Sequence, residues 1–245
     1  MRIDASELRR ILPPVDTIAG SAIYASLVGQ ALADIFGASR TVFIDWSRAN
    51  ASPENLAPGD VHFLNWAPNR RRIYYEHFRI ADPISRRCFA VREAGRPGVF
   101  RITDIVPSRQ FRRSDFFLAL LKPENLQHVL TLALADGDRL LGDFSLVRDT
   151  TCRDFDAGEI ELAHALVPAL SLAWSAAAQR RSMAALSVRE RDVAGAVGAG
   201  LSNKLIARRL GISPWTVKNH LKTVFEKTGA TSRTELCALL HRGSG

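Results

Sequence analysis

The chain has 245 residues, 47% of them hydrophobic and 24% charged, the usage of a globular protein long enough for two domains. Its three cysteines, Cys88, Cys152 and Cys237, form no CxxC pair, which argues against a zinc or redox framework. The charged N-terminus MRIDASELRRILPPVD excludes a signal peptide, and no apolar run is read as reaching the roughly 18 residues of a membrane span, so a cytoplasmic protein with no membrane partner is expected. The net charge of +8 is uneven: ten Lys/Arg face four Asp/Glu from Ala184 to Gly245, against 23 and 21 before it. Such a basic quarter is the footprint of a nucleic-acid-binding module.

In chain order, Gly20–Phe36 predicts a helix, with Ile23, Leu27, Ala31 and Ile35 at helical spacing and Gly37 ending it. Arg40–Trp46 is β-rich and predicts a strand, and Ser52–Gly59 a loop. Val61–Trp66 predicts a second strand and Asn69–Phe78 a helix, with Asp82-Pro83 as a break behind it. After a loop at Gly95–Gly98, Val99–Val106 predicts a strand and Ser108–Leu121 a helix. Leu126–Ala135 and Leu140–Arg148 flank Asp136-Gly137-Asp138, a hairpin signal. Asp156 to about Ala185 predicts a long helix, bent or interrupted at Pro168.

The expected class is therefore α+β. An N-terminal α/β/α sensor domain over 1–176, a mostly antiparallel sheet with flanking helices, is joined by a linker over 177–185 to an all-α four-helix domain over 186–245. The linker is placed at AAAQRRSMAAL, which is small and polar in composition.

The C-terminal stretch carries the chemistry. Ser187 and Glu190 form a capping box. Ser202 caps a second, short helix ending at Gly211. Ser213 caps a third with Pro214 at its first position, where the missing N–H costs nothing. Ser232 and Glu235 open a fourth. Ala207 is small where two helices cross, and Gly211 suits the tight turn of a helix-turn-helix. On the third helix Val217, Leu221, Val224 and Phe225 share one face, and the opposite face carries Trp215, Asn219, Lys222, Thr223 and Glu226, with Lys218 on its flank. Lysine donates to guanine O6 and N7, and asparagine pairs with adenine N6 and N7. Lys204, Arg208, Arg209 and Arg233 lie on flanking elements, suited to phosphates. Read alone, that polar face would be an ordinary solvated helix surface.

The segment LSVRERDVAGAVGAGLSNKLIARRLGISPWTVKNHLKTVFEKTGATSRTEL resembles the DNA-binding domain of the LuxR family nearly throughout. The resemblance implies a four-helix module on double-stranded DNA, with the third helix in the major groove and the fourth helping a homodimer to form. It implies base contacts for Lys218, Asn219 and Lys222, and backbone contacts for Thr216 and Arg233.

LuxR-type proteins differ in their first domain. A phosphorylated receiver lacks support here, because the early paired carboxylates are missing and Lys122 is the one lysine before Lys204. Asn65-Trp66 through Tyr74-Tyr75 to Asp82-Pro83 resembles the pocket-forming stretch of autoinducer domains. That resemblance implies a quorum-sensing regulator in which Trp66, Tyr74 and Tyr75 line a pocket for an acyl-homoserine lactone and Asp82 accepts the ligand amide N–H. Without it, Asp82 reads as an Asp-Pro turn residue. The stretch departs from the family where a tryptophan is expected four residues beyond the first aromatic: Arg70 stands there. A GAF-like or PAS-like domain with another ligand, or none, is the alternative. The six histidines show no metal spacing, and GxSxG, P-loop and GxGxxG signatures are all missing. The chain thus reads as a non-enzymatic regulator with no cofactor and no metal. An enzyme with an appended DNA module and a helical module that binds protein are the competing readings.

Overall fold

A strand shows alternate side chains to opposite faces, and here both faces of one sheet are covered. The computed structural model describes residues 9–14, 20–47, 52–93, 98–230 and 232–242; the expected loop at Gly95–Gly98 lies, except for Gly98, outside them. Strands β1 (Arg40–Asp45), β2 (Val61–Leu64), β3 (Val99–Arg101), β4 (Leu126–Asp136) and β5 (Arg139–Asp149) form an antiparallel sheet of order β2-β1-β5-β4-β3. Asp136 pairs with Arg139, so the hairpin turn is Gly137-Asp138. Gly137 has φ 60°, the left-handed value a type II′ turn needs at its first central residue.

One face of the sheet meets helix α1 (Ser21–Phe36) and the start of a 28-residue helix, Ala157–Ala184. Tyr24 of α1 stacks on Trp174 at 4.4 Å and meets Phe43 edge-on at 5.4 Å. The Trp174 Nε1–H donates to the Leu141 carbonyl at 3.1 Å. The long helix has a window of mean hydropathy 1.3, enough by length and composition for a membrane span. This corrects the expectation that no such stretch exists. Its Ala163, Leu166, Val167, Leu170 and Trp174 are buried in the protein. Pro168 sits inside the helix without ending it.

The second face is covered by α2 (Pro68–Ile73), which widens into a π-type turn at Tyr74–Phe78, and by α3 (Pro83–Glu93). Asp82-Pro83 was expected to break the chain, yet it starts α3. Asp82 Oδ1 accepts from Ile84 N at 2.9 Å and Pro83 takes the first helical position, where it lacks only an N–H that would be unbonded. The strand expected over Val99–Val106 stops at Arg101. Asp104 Oδ2 accepts from Arg101 N at 2.8 Å, and a helical turn runs Ile102–Ile105. The helix expected over Ser108–Leu121 is in two pieces, Ser108–Phe111 and a π-type segment Phe117–Leu121. Between them the Ser114 hydroxyl donates to Phe111 O at 2.6 Å and accepts from Phe117 N at 3.2 Å, diverting backbone groups from the helical ladder.

A buried ion pair ties β5 to the long helix, which we label α4. Arg148 donates to Glu159 at 2.6 Å and also to the Phe36 carbonyl, and its guanidinium lies 4.0 Å from the centre of the Phe155 ring. Burial raises the Glu159 carboxyl, but the Arg148 bond and the Asp156 N–H outweigh it and hold the group below its ordinary range.

The chain divides into two compact units, Met1–Trp46 with Ala51–Ser175, and Ser47–Asn50 with Ala176–Gly245. The division falls inside α4. The linker expected over 177–185 is helical through Ala184, as its alanines, arginines and methionine favour. The second unit holds α5 (Val188–Gly198), α6 (Asn203–Leu210), α7 (Pro214–Thr228) and α8 (Arg233–Arg242). They enclose their own core of Val193, Val197, Ile206, Val217, Val224 and Leu236.

Candidate nucleic-acid interface and ligand cavity

In the second unit, local capping fixes where α6 and α7 begin and end. Ser202 and Ser213 each accept from the backbone N–H three residues on, at 3.4 and 3.0 Å. Gly211 is left-handed, φ 65° and ψ 34°, and its N–H closes on the Ala207 carbonyl. The chain therefore turns sharply between the two helices. Val217, Leu221, Val224 and Thr228 are buried, turning the side of α7 that bears Lys218, Asn219 and Lys222 outward.

Lys218, Asn219 and Lys222 are all exposed on that outer side, as are Lys204, Arg208 and Arg209 on α6. Lys222 is loosely paired with Glu226 at 3.9 Å, an exposed contact that leaves its ammonium available to another anion. Thr216 is half-buried, its hydroxyl 2.8 Å from that of Ser213. Trp215 is 72% exposed. Arg233 differs from its neighbours: its guanidinium donates to Asn203 Oδ1 at 3.3 Å and to the Leu201 carbonyl. It braces the start of α6 from α8, so part of its donor set is committed within the protein. Behind the interface, Lys227 donates to Glu190 at 2.7 Å, and that bond, with the Ser187 N–H, holds the Glu190 carboxyl below its usual range.

In the first unit, the second sheet face and its helices border a small cavity of about 40 Å³. Val42, Ile44, Phe63, Val129, Asp143, Ser145 and Val147 line it from the strands; Trp66, Tyr74, Asp82 and Phe116 are among the other residues around it. Three of the four residues expected in a pocket are thus together. Tyr75 does not line this cavity: its hydroxyl donates to the Leu56 carbonyl at 2.5 Å, and its side chain borders an adjoining recess that shares Phe63 and Trp66 with the cavity and adds Arg71 and Arg72. Successive residues on the widened turn project differently, and the apolar wall took Tyr74. Arg70 is also elsewhere, donating to Glu124 at 3.1 Å and to the Ala119 carbonyl at 3.0 Å.

Asp82 is 2% exposed and well bonded, accepting from Tyr74 Oη at 2.9 Å, Ser85 Oγ at 2.8 Å and Ile84 N. Burial still raises its carboxyl above the ordinary value, and raises the Tyr74 phenol too. Trp66 donates its Nε1–H to the Thr41 carbonyl at 3.1 Å.

Asp143 is the cavity residue that the sequence reading missed. It is 1% exposed on β5, and Oδ1 accepts from Trp46 Nε1 at 2.6 Å while Oδ2 has no hydrogen-bond partner. Burial, reinforced by the Asp82 charge, pushes its carboxyl up to about 7 against the pull of the Trp46 bond. The signal was an acidic residue inside the apolar strand LLGDFSLV, on the same strand face as Leu141, Ser145 and Val147.

An exposed basic and amide-bearing helix face set on a capped helix-turn-helix defines a DNA-binding module, and the first unit defines an α/β/α domain with a small cavity. Residues 184–240 match the family described as bacterial regulatory proteins, luxR family. The monoamine regulon transcriptional regulator of Klebsiella aerogenes is 31% identical over 183 residues, spanning 74% of this chain and 77% of that protein. The nitrate/nitrite response regulator protein NarL of Escherichia coli K12 is 42% identical over 88 residues, 35% of this chain and 41% of that protein. Among solved structures, Escherichia coli SdiA superposes with a TM-score of 0.52 at 19% identity, covering 97% of each chain. SdiA in complex with octanoyl-rac-glycerol gives 0.51 at 19% identity, over 98% of this chain and 96% of that one.

The chain belongs to the luxR family of bacterial regulatory proteins. It is a DNA-binding transcriptional regulator, not an enzyme, and it shares the fold of SdiA.

Proposed function

We propose that this regulator works in the cytoplasm as a homodimer, reads two-fold symmetric operator half-sites with α7, and is modulated by a small molecule held in the cavity of the first unit. The observation that carries the DNA reading is the outward stripe of Lys218, Asn219 and Lys222 on a helix whose opposite side is anchored by Val217, Leu221 and Val224. On this reading Lys218, Asn219 and Lys222 meet base edges. Thr216, Lys204, Arg208 and Arg209 meet the sugar-phosphate backbone, while Arg233 mainly holds α6 in place. The small cavity lined by apolar and acidic residues, and the fold shared with a protein seen bound to octanoyl-rac-glycerol, support a small-molecule sensor.

An acyl-homoserine lactone is the particular ligand suggested by the sequence resemblance. Trp66, Tyr74 and Asp82 on one cavity wall support it. Against it, Arg70, at the position expected to bond the lactone carbonyl, is directed to Glu124 and Ala119 instead.

The test is selection of bound sequences from random duplex DNA, followed by titration at several salt concentrations. Affinity for the selected operator should fall steeply with salt, as phosphate contacts require. Asn219→Ala should relax preference at one base position, at a cost of about 1–3 kcal/mol. Lys204→Ala should weaken all sequences alike. Unchanged operator affinity and unchanged base preference in both Lys218→Ala and Asn219→Ala would overturn the assignment of α7.

A further inference from the structure

Asp82 and Asp143 share the cavity, but they are not equivalent. Asp82 is engaged by three donors of its own unit. Asp143 has one donor and one bare oxygen, in a site almost sealed from water. A buried acceptor without a partner is costly, and a buried carboxylate without a counter-charge more so. Among the described residues lining the cavity there is no lysine, arginine or histidine. The wall therefore offers two carboxyl groups, one open acceptor and no cationic group, framed by the rings of Phe63, Trp66, Tyr74 and Phe116.

We propose that the cavity binds a primary amine in its ammonium form, with an apolar or aromatic body, and that the Asp143 carboxylate is its counter-ion. The inference rests on the sensor reading above and names its ligand class. An ammonium brings three N–H donors and no acceptor; one meets Asp143 Oδ2, and the aromatic faces accept the remaining positive charge by cation–π attraction. The body lies between Val42, Val129 and Leu120, where the cavity of about 40 Å³ must widen to admit it. A carboxylate ligand would face two carboxyl groups and no cation. A ligand presenting only carbonyl oxygens would leave Asp143 unanswered.

The groups set around Asp143 sharpen the expectation. Asp82 and the Tyr74 phenol lie on the elements packed against β5, and Cys88 of α3 feels both carboxylates, its thiol pushed well above its ordinary value by burial. Since Asp143 titrates near 7 while an alkylammonium stays charged to about pH 10, as lysine does, amine affinity should rise between pH 6 and pH 8.

The probe is 2-phenylethylamine, compared by calorimetry on the full chain with its neutral analogue 2-phenylethanol, with N-hexanoyl-homoserine lactone and with 1-octanoyl-rac-glycerol. The amine should bind roughly tenfold or more tightly than the alcohol, the scale of one charge-assisted hydrogen bond. Asp143→Asn, which keeps an oxygen for Trp46, should erase that preference and leave alcohol binding within about twofold. The wild-type comparison of amine with alcohol stands even if the variant is unstable. An amine that binds no tighter than the alcohol overturns the inference, as does a preference that survives Asp143→Asn. If the lactone or the glyceride binds and the amine does not, the inference fails while the sensor reading stands. If none of the four binds, both fail.

Discussion

Replacing Gly195 and Gly211 by alanine, one at a time, adds the same methyl group in two backbone settings and should move stability in opposite directions. Both positions are exposed, and a Cβ at either would meet nothing within 4 Å, so packing cancels from the comparison. Gly195 lies inside α5 with ordinary helical geometry. Alanine there restricts the unfolded chain and should stabilise the second unit by about 0.5–1 kcal/mol. Gly211 is left-handed, where a Cβ crowds the following carbonyl; alanine there should cost about 1–2 kcal/mol. The two variants should therefore differ by roughly 1.5–3 kcal/mol. Native-state hydrogen exchange of the buried amides of Ile206, Val217 and Val224 in the full chain reads the opening free energy of this unit alone. If Gly211→Ala were neutral, the connection between α6 and α7 would not be the left-handed turn described, and the orientation argued for α7 would lose its basis.

Arg148→Met removes the buried partner of Glu159 and leaves it only the exposed Arg153 at 3.2 Å, so it should destabilise the first unit by about 3 kcal/mol, whereas Arg148→Met combined with Glu159→Gln should recover much of it; urea denaturation of the single and double variants checks this. Because Glu159 is held below its unfolded value, the pair stabilises fully above that value and its contribution fades as pH falls. Asp143 has the opposite sign. Its folded-state value near 7 lies above the unfolded 3.8, so the native state holds the extra proton and ligand-free stability should decline as pH rises from about 4 to 7. Asp143→Asn should flatten that decline, by about 4 kcal/mol at most for some three pH units, measurable as the difference in Tm against pH between wild type and variant; a difference that does not change over this window would refute the burial argument.

What could be read in the sequence was what short-range chemistry decides. Ser187, Ser202, Ser213 and Gly211 act on backbone groups a few residues away, so α5, α6 and α7 were legible from spacing alone. The hairpin at Gly137-Asp138 was legible for the same reason. The first unit was harder because its boundaries depend on competition between partners. Asp82-Pro83 carries signals for both a break and a helix start, and the capping bond to Ile84 chose the start. Val99–Val106 looks like continuous strand until Asp104 folds back on Arg101. The cavity pairs Asp82 with Asp143, 61 positions along the chain, and no local pattern encodes that encounter. Tyr74 and Tyr75 are chemically alike, and only the widened turn of α2 decides which one faces inward.

Gly142 stands immediately before Asp143, and a Cβ on it would come within 2.9 Å of the Ile44 carbonyl and of the Phe43 ring. The bare α-carbon lets β5 nestle against β1, and that intimacy immobilises the next residue. A bulkier residue at 142 would push β5 off β1 and carry Asp143 with it. Diversifying what such a regulator responds to would therefore proceed by exchanging the side chain at 143 on a fixed chassis, with no remodelling of loops.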